Sequence, residues 1–390
     1  MEKYAGEKIA SIKNMKRINS FRNKICHLTT VHPPFDPRIF HKEIKTLIKA
    51  GYDITLIAQN NKNEIVDGVQ IIALQKAKNR IYRMLGFTLK SFLLAFKQDA
   101  YIYHFHDPEL IPVGLALKLL RKKVIYDVHE DVPKQILDKN WIGNKNIRKI
   151  VSVFFNIFEK FSVIFFVNVV TATSYIAKRF PKSKTIILRN LPILKLIDSA
   201  SPINYKKTKP ILIYAGSLTK IRGIKEIIQA TEFLNGEAEL WLLGKWESEG
   251  FRKECENLKG WKHTKYLGFK KLDNIYKYEK KADVGLHIVY AIERHMVGLP
   301  TKVFEYMSCS IPVVMTESPY WIKLFGKNAL FINPTNPRKI AKAVEYLIEH
   351  PEISRKMGEN GRKVILDKYN WEKESEKLVS LYEELLKDDQ

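Results

Sequence analysis

The stretch GLPTKVFEYM, residues 298–307, runs a Gly-Leu-Pro turn into Val303, Phe304 and Met307 at helical spacing, and sets a carboxylate, Glu305, one turn inside. With Thr301 as N-cap, the amides of Lys302, Val303 and Phe304 are expected to be unpaired at the helix start. Such amides form a nest for an anion, and the helix dipole reinforces it. Glu305 lies too far along to cap that start. It can accept hydrogen bonds from paired hydroxyls such as a ribose diol, or it can close a buried salt bridge with a Lys or Arg. An ionised carboxylate buried without a partner is costly, which favours the hydroxyl-binding role.

Upstream, YAGSLTKIRGIKE ends a strand at Gly216 and starts a helix at Arg222-Gly223. Glycines let the backbone approach a ligand, and free amides at a helix start favour phosphate. An Arg there can fork onto phosphate oxygens through charge-assisted bonds worth about 1.5–3 kcal/mol each. The plainer alternative for Arg222 is an exposed helix-start residue. Together the two helix starts can clamp a diphosphate.

In the first half, HPPFDPRIF reads as a loop between strand and helix that carries Asp36 and Arg38, and HFHDPE sets His106 and Asp107 at a strand end. Loops at strand ends are where function concentrates. Asp36 and Asp107 each precede a proline, so a turn or cap role is the alternative. Strand alternation places His104 on the face of His106 but deeper, as a core histidine.

These residues need elements to hold them. The chain has 390 residues, 45% of them hydrophobic, which favours two domains over one. In the first half KICHLTTV, YDITLIAQ, VQIIALQ, AYIYHFH, KVIYDVHE, VNVVTATS and KTIILRN read as strands. PILIYAGSL, AELWLLG, KYLGF, ADVGLHIV, IPVVM and ALFIN do so in the second. Helical patterns between them, such as HKEIKTLIKAG, imply βα units and parallel, doubly wound sheets. The pattern lapses over 196–209 and then restarts. The expected organisation is an extension over 1–21, a Rossmann-like domain over 22–195, a linker over 196–209, a second Rossmann-like domain over 210–365, and a C-terminal helix over 366–390 that packs back toward the first domain. Two such domains facing across a cleft would bind ligands at the carboxyl ends of their strands.

Lys plus Arg number 66 against 42 Asp plus Glu, a net charge of +24. Such a surface attracts nucleic acid, anionic lipid or phosphorylated small molecules, or it serves solubility alone. No repeat of aromatic and basic residues supports nucleic acid. Cys26, Cys255 and Cys309 are widely spaced, so neither a zinc site nor a disulfide framework is expected, and a reducing cytoplasm is the default. The most apolar stretch, 150–170, carries Glu159 and Lys160 near its middle, which argues against a spanning helix. An amphipathic helix to about Ser162 is expected, its apolar face packed mostly on the sheet, with Arg148, Lys149 and Lys160 available to lipid phosphates.

PTKVFEYMSCSIPVV resembles the nucleotide-sugar motif of family 4 glycosyltransferases, retaining enzymes with the GT-B fold, and AGSLTKIRGIKE resembles their phosphate loop. VHPPFDPRIFHKEIKTLIKAGYDITLI, YHFHDPELIPVG and YDVHEDVPKQIL resemble a bacterial branch that builds surface polysaccharide and lipopolysaccharide. The likeness runs over about residues 22–385 with the motifs in order. It implies that Glu305 holds the donor ribose, that Arg222 neutralises the diphosphate, and that His129 reaches the donor sugar near the anomeric centre. Gly268 and Phe269 would bracket the base, and Gly244 and Ser217 would join Gly216, Gly223, Thr301 and Lys302 in donor binding. Asp36, Arg38, His106, Asp107 and Glu130 would face the acceptor. Three positions depart from the pattern. Val297 stands where many members carry a second glutamate, Ser217 where many carry a second phosphate-binding Arg, and Ser310 where a glycine is usual. The implied reaction moves a sugar from a nucleoside diphosphate, UDP before GDP, to a glycan or polyprenyl-diphosphate-linked acceptor. No other cofactor and no metal is expected, since no Asp-x-Asp occurs. The expected place is the cytoplasm, peripherally on the inner, anionic face of the membrane. A nucleotide-sugar epimerase of the same fold is the rival enzyme, and a non-catalytic module binding membrane or nucleic acid the rival of another class.

Overall fold

A computed structural model describes residues 22–75, 79, 82–290, 296 and 298–387. The extension expected over 1–21, and Val297, lie outside these residues. The chain forms two compact units. The first holds the described residues up to Arg189 and those from Ser375 on, and the second is Asn190–Glu374. The sequence reading instead set its boundaries at 195 and 365. A short helix, Leu194–Ser199, opens the segment expected as linker and belongs to the second unit.

The first unit has the strands β1 Lys24–Leu28, β2 Asp53–Gln59, β3 Glu64–Val66, β4 Val69–Leu74, β5 Ile102–Phe105, β6 Lys123–Val128, β7 Asn168–Thr171 and β8 Thr185–Ile187. They form one sheet in the order β3-β4-β2-β1-β5-β6-β7-β8. Only β3 pairs antiparallel, with β4. At three residues, β3 is too short to stand out from its loop in the sequence. The helices are α1 Lys45–Lys49, which continues a π-helical turn over Ile39–Ile44, α2 Thr88–Gln98, α3 Ile111–Leu119 and α4 Lys145–Val163. The connections through α2, α3 and α4 all step the same way across the sheet, so right-handed crossover places these helices on one face. There they bury Cys26, Leu28, Tyr103, Phe105, Val124 and Tyr126. Side chains alternate along a strand, so His27, His104 and Asp127 share the opposite face. The register sets His27 directly beside His104.

The second unit has β9 Ile211–Ala215, β10 Glu239–Leu243, β11 Thr264–Gly268, β12 Val284–His287, β13 Val313–Thr316 and β14 Ala329–Ile332, ordered β11-β10-β9-β12-β13-β14. Every pairing is parallel. Its sites are positioned by α5 Ile224–Phe233, α6 Leu272–Glu279 and α7 Thr301–Ser308. Apolar clusters cover both sheet faces, which is why these strands read as continuous hydrophobic runs. Each sheet reverses strand order once, between β1 and β5 and between β9 and β12. Open α/β sheets bind ligands beside such points.

The last helix, α8 Trp371–Lys387, begins in the second unit and ends in the first. Trp371 donates its N–H to Pro192 O at 2.8 Å, whereas Leu378, Leu381, Tyr382 and Leu385 are buried in the first unit. One expectation is overturned. Only part of the apolar surface of α4 packs on the core, through Val163, Phe155 and Phe158. Its inward positions include Ser152, Glu159 and Ser162, all buried, while Ile150, Phe154, Ile157 and Phe161 point outward. Polar partners explain the orientation: Glu159 accepts from Tyr126 Oη at 2.9 Å and pairs with Arg179, and Ser152 Oγ donates to Pro133 O at 2.7 Å.

Candidate functional site

In the second unit, β9 delivers Gly216 to the switch point. A 3₁₀ turn over Lys220–Arg222 follows, and then Gly223 at φ +59 turns the chain into α5. A Cβ at Gly223 would lie 2.6 Å from Ile288 Cγ2, so both the backbone angle and the space demand glycine. A Cβ at Gly216 would meet Lys302 Nζ at 2.8 Å and Arg222 Nη1 at 3.5 Å. Two cations therefore converge on a bare stretch of backbone. Among the described residues neither is ion-paired with a carboxylate. Lys302 Nζ donates instead to Tyr214 Oη at 2.8 Å and lies 4.0 Å from the centre of that ring. Burial, and then the guanidinium of Arg222, hold the Lys302 pKa well below the lysine norm, against the pull of Glu305 and Glu279. Such a site gains stability when an anion enters.

The helix start of α7 differs from expectation. Pro300 holds the N-cap position without a side-chain cap, Thr301 is already helical, and the Val303 N–H is used by Pro300 O at 2.9 Å. The proline ring angle pre-sets that turn. The contribution of α7 to an anion is therefore its Lys302 side chain, more than the three amides read from sequence. Ser217 is exposed, and beside Arg222 it is Lys302 that reaches Gly216. Glu305, three residues on, shares the Lys302 face of the helix. It is half-buried, and Tyr276 Oη approaches its Oε1 at 3.5 Å. Behind it, α6 buries Glu279, whose Oε1 has no hydrogen-bond partner. Burial, then the charge of Glu305, push the Glu279 pKa up, while Lys302 draws it back. Gly244 follows β10, and its N–H donates to Gly268 O at 3.0 Å. A Cβ there would lie 1.7 Å from Gly216 O, so the strand ends close up only around glycine. Phe269, 61% exposed, follows β11 with Lys245 Nζ 4.8 Å from its ring centre. Since β11 lies two strands from β9, Gly268 and Gly216 are separated by about 10 Å.

The first unit builds a different site at the ends of β1, β5 and β6. The Asp127 carboxylate accepts from Arg38 Nη2 at 3.0 Å, from His106 Nδ1 at 3.2 Å and from His129 Nε2 at 3.0 Å. Burial alone would raise its pKa, but Arg38, His129 and His106 hold it well below the carboxylate norm. Behind it runs a chain of hydrogen bonds: His106 Nε2 to His27 Nδ1 at 3.0 Å, His27 Nε2 to Tyr382 Oη at 3.4 Å, and Tyr382 Oη to His104 Nδ1 at 2.7 Å. Burial drives the pKa of His27, His104 and His106 down, so all three are neutral. One assignment satisfies every link. His104 Nδ1–H donates to Tyr382, Tyr382 O–H to His27 Nε2, His27 Nδ1–H to His106 Nε2, and His106 Nδ1–H to Asp127. His129 Nε2 then donates to the same carboxylate. Its side chain is 15% exposed.

This geometry corrects the acceptor assignments. Arg38, His106 and Asp107 are buried and occupied. Arg38 grips Asp127 and Leu188 O, and Asp107 accepts from Thr29 Oγ1 at 2.7 Å and from the amides of Thr30 and Val31. Asp36 accepts from the Arg38 and Ile39 amides and pairs with His32 at 3.3 Å, which is a turn role. Each holds the β1 and β5 loops in place. His129 and His32 are half-buried there, and Glu130 is exposed. Burial would lower the His32 pKa, but its bond to Asp36 and the charge of Asp107 raise it. Asp127, Glu43, His27 and Tyr382 were not anticipated. Asp127 was the one with a signal, since it stands two residues before His129. Ligand atoms of Glu43, His104, His106 and Asp127 lie within 4.8 Å of one another. Arg38 already supplies the cation there, so the set fits a guanidinium-neutralised core better than a metal site.

Residues 198–364 match the family described as glycosyl transferases group 1. An uncharacterized glycosyltransferase of Methanocaldococcus jannaschii is 27% identical over 55% of this chain and 56% of its own length, so the chain spans about half of that relative. The capsular polysaccharide biosynthesis glycosyltransferase CapM of Staphylococcus aureus is 19% identical over 94% of this chain and 98% of that one. Among solved structures, sucrose-phosphate synthase from Thermosynechococcus elongatus superposes with a TM-score of 0.73 at 17% identity, covering 93% and 98% of the two chains. Anabaena HepE in complex with UDP-glucose gives 0.69 at 14%, covering 93% and 99%. These likenesses establish the GT-B fold.

Proposed function

We propose that the chain is a retaining, metal-independent hexosyltransferase. It moves a sugar from a nucleoside diphosphate, UDP before GDP, to a hydroxyl of a polyprenyl-diphosphate-linked glycan during cell-surface polysaccharide synthesis on the cytoplasmic side of the membrane. The observation that carries this reading is the pair Arg222 and Lys302, converging on Gly216 without a carboxylate between them. The group 1 match over 198–364 and the UDP-glucose held by HepE support it.

In this reading the diphosphate lies over Gly216, the ribose hydroxyls meet Glu305, and the base reaches Gly268 and Phe269, a separation that suits a nucleoside diphosphate. The bond between the anomeric carbon and the phosphate oxygen breaks, and negative charge grows on the leaving diphosphate. Arg222 and Lys302 are fixed before that charge appears, the arrangement by which electrostatic stabilisation lowers a barrier most. The acceptor oxygen bonds to the anomeric carbon from the face the diphosphate leaves, and its proton passes to a phosphate oxygen of the leaving group.

Thermal melts with UDP, GDP and ADP, free and sugar-linked, test the assignment, because a ligand of the folded state raises the melting temperature. At least one nucleoside diphosphate should do so. Lys302→Met, which keeps the stem and removes the charge, should abolish most of the shift. Glu305→Ala should weaken the nucleotide shift and leave that of inorganic diphosphate alone. No shift with any diphosphate, or an undiminished shift in Lys302→Met, would overturn the reading. Conversion of the donor sugar without an acceptor would instead identify an epimerase.

A further inference from the structure

We propose that the helical face of the first unit formed by α2, α3 and α4 is a docking surface for an anionic lipid bilayer. The inference starts from the inversion of α4. A helix on a sheet ordinarily turns its apolar stripe inward. Here Ile150, Phe154, Ile157, Phe161 and Ile164 recur at steps of four and three residues, and each is at least 57% exposed. The inward side is tied by Ser152 and Glu159 through the bonds given above, so the helix cannot roll to hide the stripe without breaking a buried ion pair.

The neighbouring helix repeats the pattern. In α2, Leu89, Leu93 and Phe96 follow the same steps and are 63%, 52% and 54% exposed. The helix α3 packs against both and carries Leu119, 86% exposed, at its end. The apolar stripes thus lie abreast on one face of the sheet. Large contiguous apolar patches on a soluble surface mark interaction sites.

Charge selects the occupant. Lys90 and Lys97 on α2, and Lys145, Lys149 and Lys160 on α4, are all exposed. Neither α2 nor α3 contains an acidic residue, and the sole one in α4, Glu159, is buried. Two copies of this face meeting across a two-fold axis would bring like charges together without compensation. An anionic bilayer accepts the apolar stripes at its acyl boundary and the lysines at its headgroups. Among the described residues no helix is long and apolar enough to cross a membrane, so the attachment is interfacial. The inference is independent of the transfer reaction.

Co-sedimentation of the full chain with phosphatidylglycerol-containing vesicles, against pure phosphatidylcholine, tests it. Binding should require the anionic lipid, weaken as salt rises, and fall about tenfold or more in the pair Phe154→Glu with Phe161→Glu. A separate variant, Leu93→Glu, should also weaken it if α2 shares the face. All these positions are exposed, so melting temperature and any nucleotide-induced shift should be unchanged, which separates docking from folding and from the donor site. Unaltered vesicle binding in the double variant would overturn the proposal. So would failure of the wild type to sediment at low salt, or a dimer in solution that the double variant dissolves.

Discussion

Glu43 shows how a single side chain can report on the site in the first unit. It is fully buried beside Asp127. The Arg38 Nε lies 2.9 Å from its Oε1, yet that N–H is aimed at Asp127, so neither carboxyl oxygen of Glu43 receives a hydrogen bond. Burial, and then the charge of Asp127, push its pKa well up. A carboxyl whose pKa is raised by folding costs nothing while the unfolded chain is also protonated. The cost grows above the ordinary value, about 4.5, by about 1.4 kcal/mol per pH unit until the folded group ionises. Glu43→Gln keeps the shape without the proton. Its melting temperature should therefore gain on the wild type as pH rises above about 5, and a gap that does not change with pH would show that Glu43 is ionised in the folded protein. Little of this arrangement was legible in the sequence. Arg38 and His106 were found as chemistry-bearing residues at strand ends, but pattern does not tell a residue that meets a ligand from one that neutralises a buried neighbour. Tyr382 gave no signal, since 278 residues separate it from His104. Lys302 was noticed for its amide, and its ammonium was visible only once β9 and α7 were placed side by side.

The elements were read more fully than the residues. Every expected strand is present, because a run of apolar residues bounded by turn formers leaves few alternatives to a covered parallel strand. The inverted helix was misjudged for a physical reason: period reveals that a helix has an apolar face, and says nothing of which way it points. The turn after α7 carries a second consequence. Ser310 adopts φ +59, a left-handed conformation that costs a non-glycine residue about 1–2 kcal/mol. Its carbonyl also lies where a Cβ on Gly358 would approach to 2.0 Å, so the turn has no freedom to relax. Ser310→Gly should raise stability by roughly 0.5–1 kcal/mol, read as a higher denaturant midpoint with an unchanged slope. A lower midpoint would mean that the serine side chain contributes more than its backbone angle costs.

At the scale of the whole molecule the two units share a polypeptide and also a helix. Removing residues 375–390 takes Leu378, Leu381, Tyr382 and Leu385 out of the first unit, each at most 5% exposed. At about 1.5–3 kcal/mol per large side chain, that loss is comparable to the entire stability of a typical domain. A chain ending at Glu374 should lose hydrogen-exchange protection across β1, β5 and β6 while β9, β10 and β12 keep theirs. Equal protection in both units would show that α8 is dispensable. The two sites would then respond separately: a nucleotide should still bind the shortened chain, since Arg222, Lys302 and Glu305 all precede the cut.

The same helix orders events in time. A ribosome delivers β1 well before α8, yet His27 and Tyr382 meet in the finished core, 355 residues apart. The customary sequence, in which the leading domain matures while the trailing one is still being made, is closed to this chain. Its first half must wait, with a sheet lacking one cover and three histidines open to water, until the second half and α8 have emerged. That interval is when a chaperone would find the most to hold, and when a chain stalled short of its end would be recognised as unfinished.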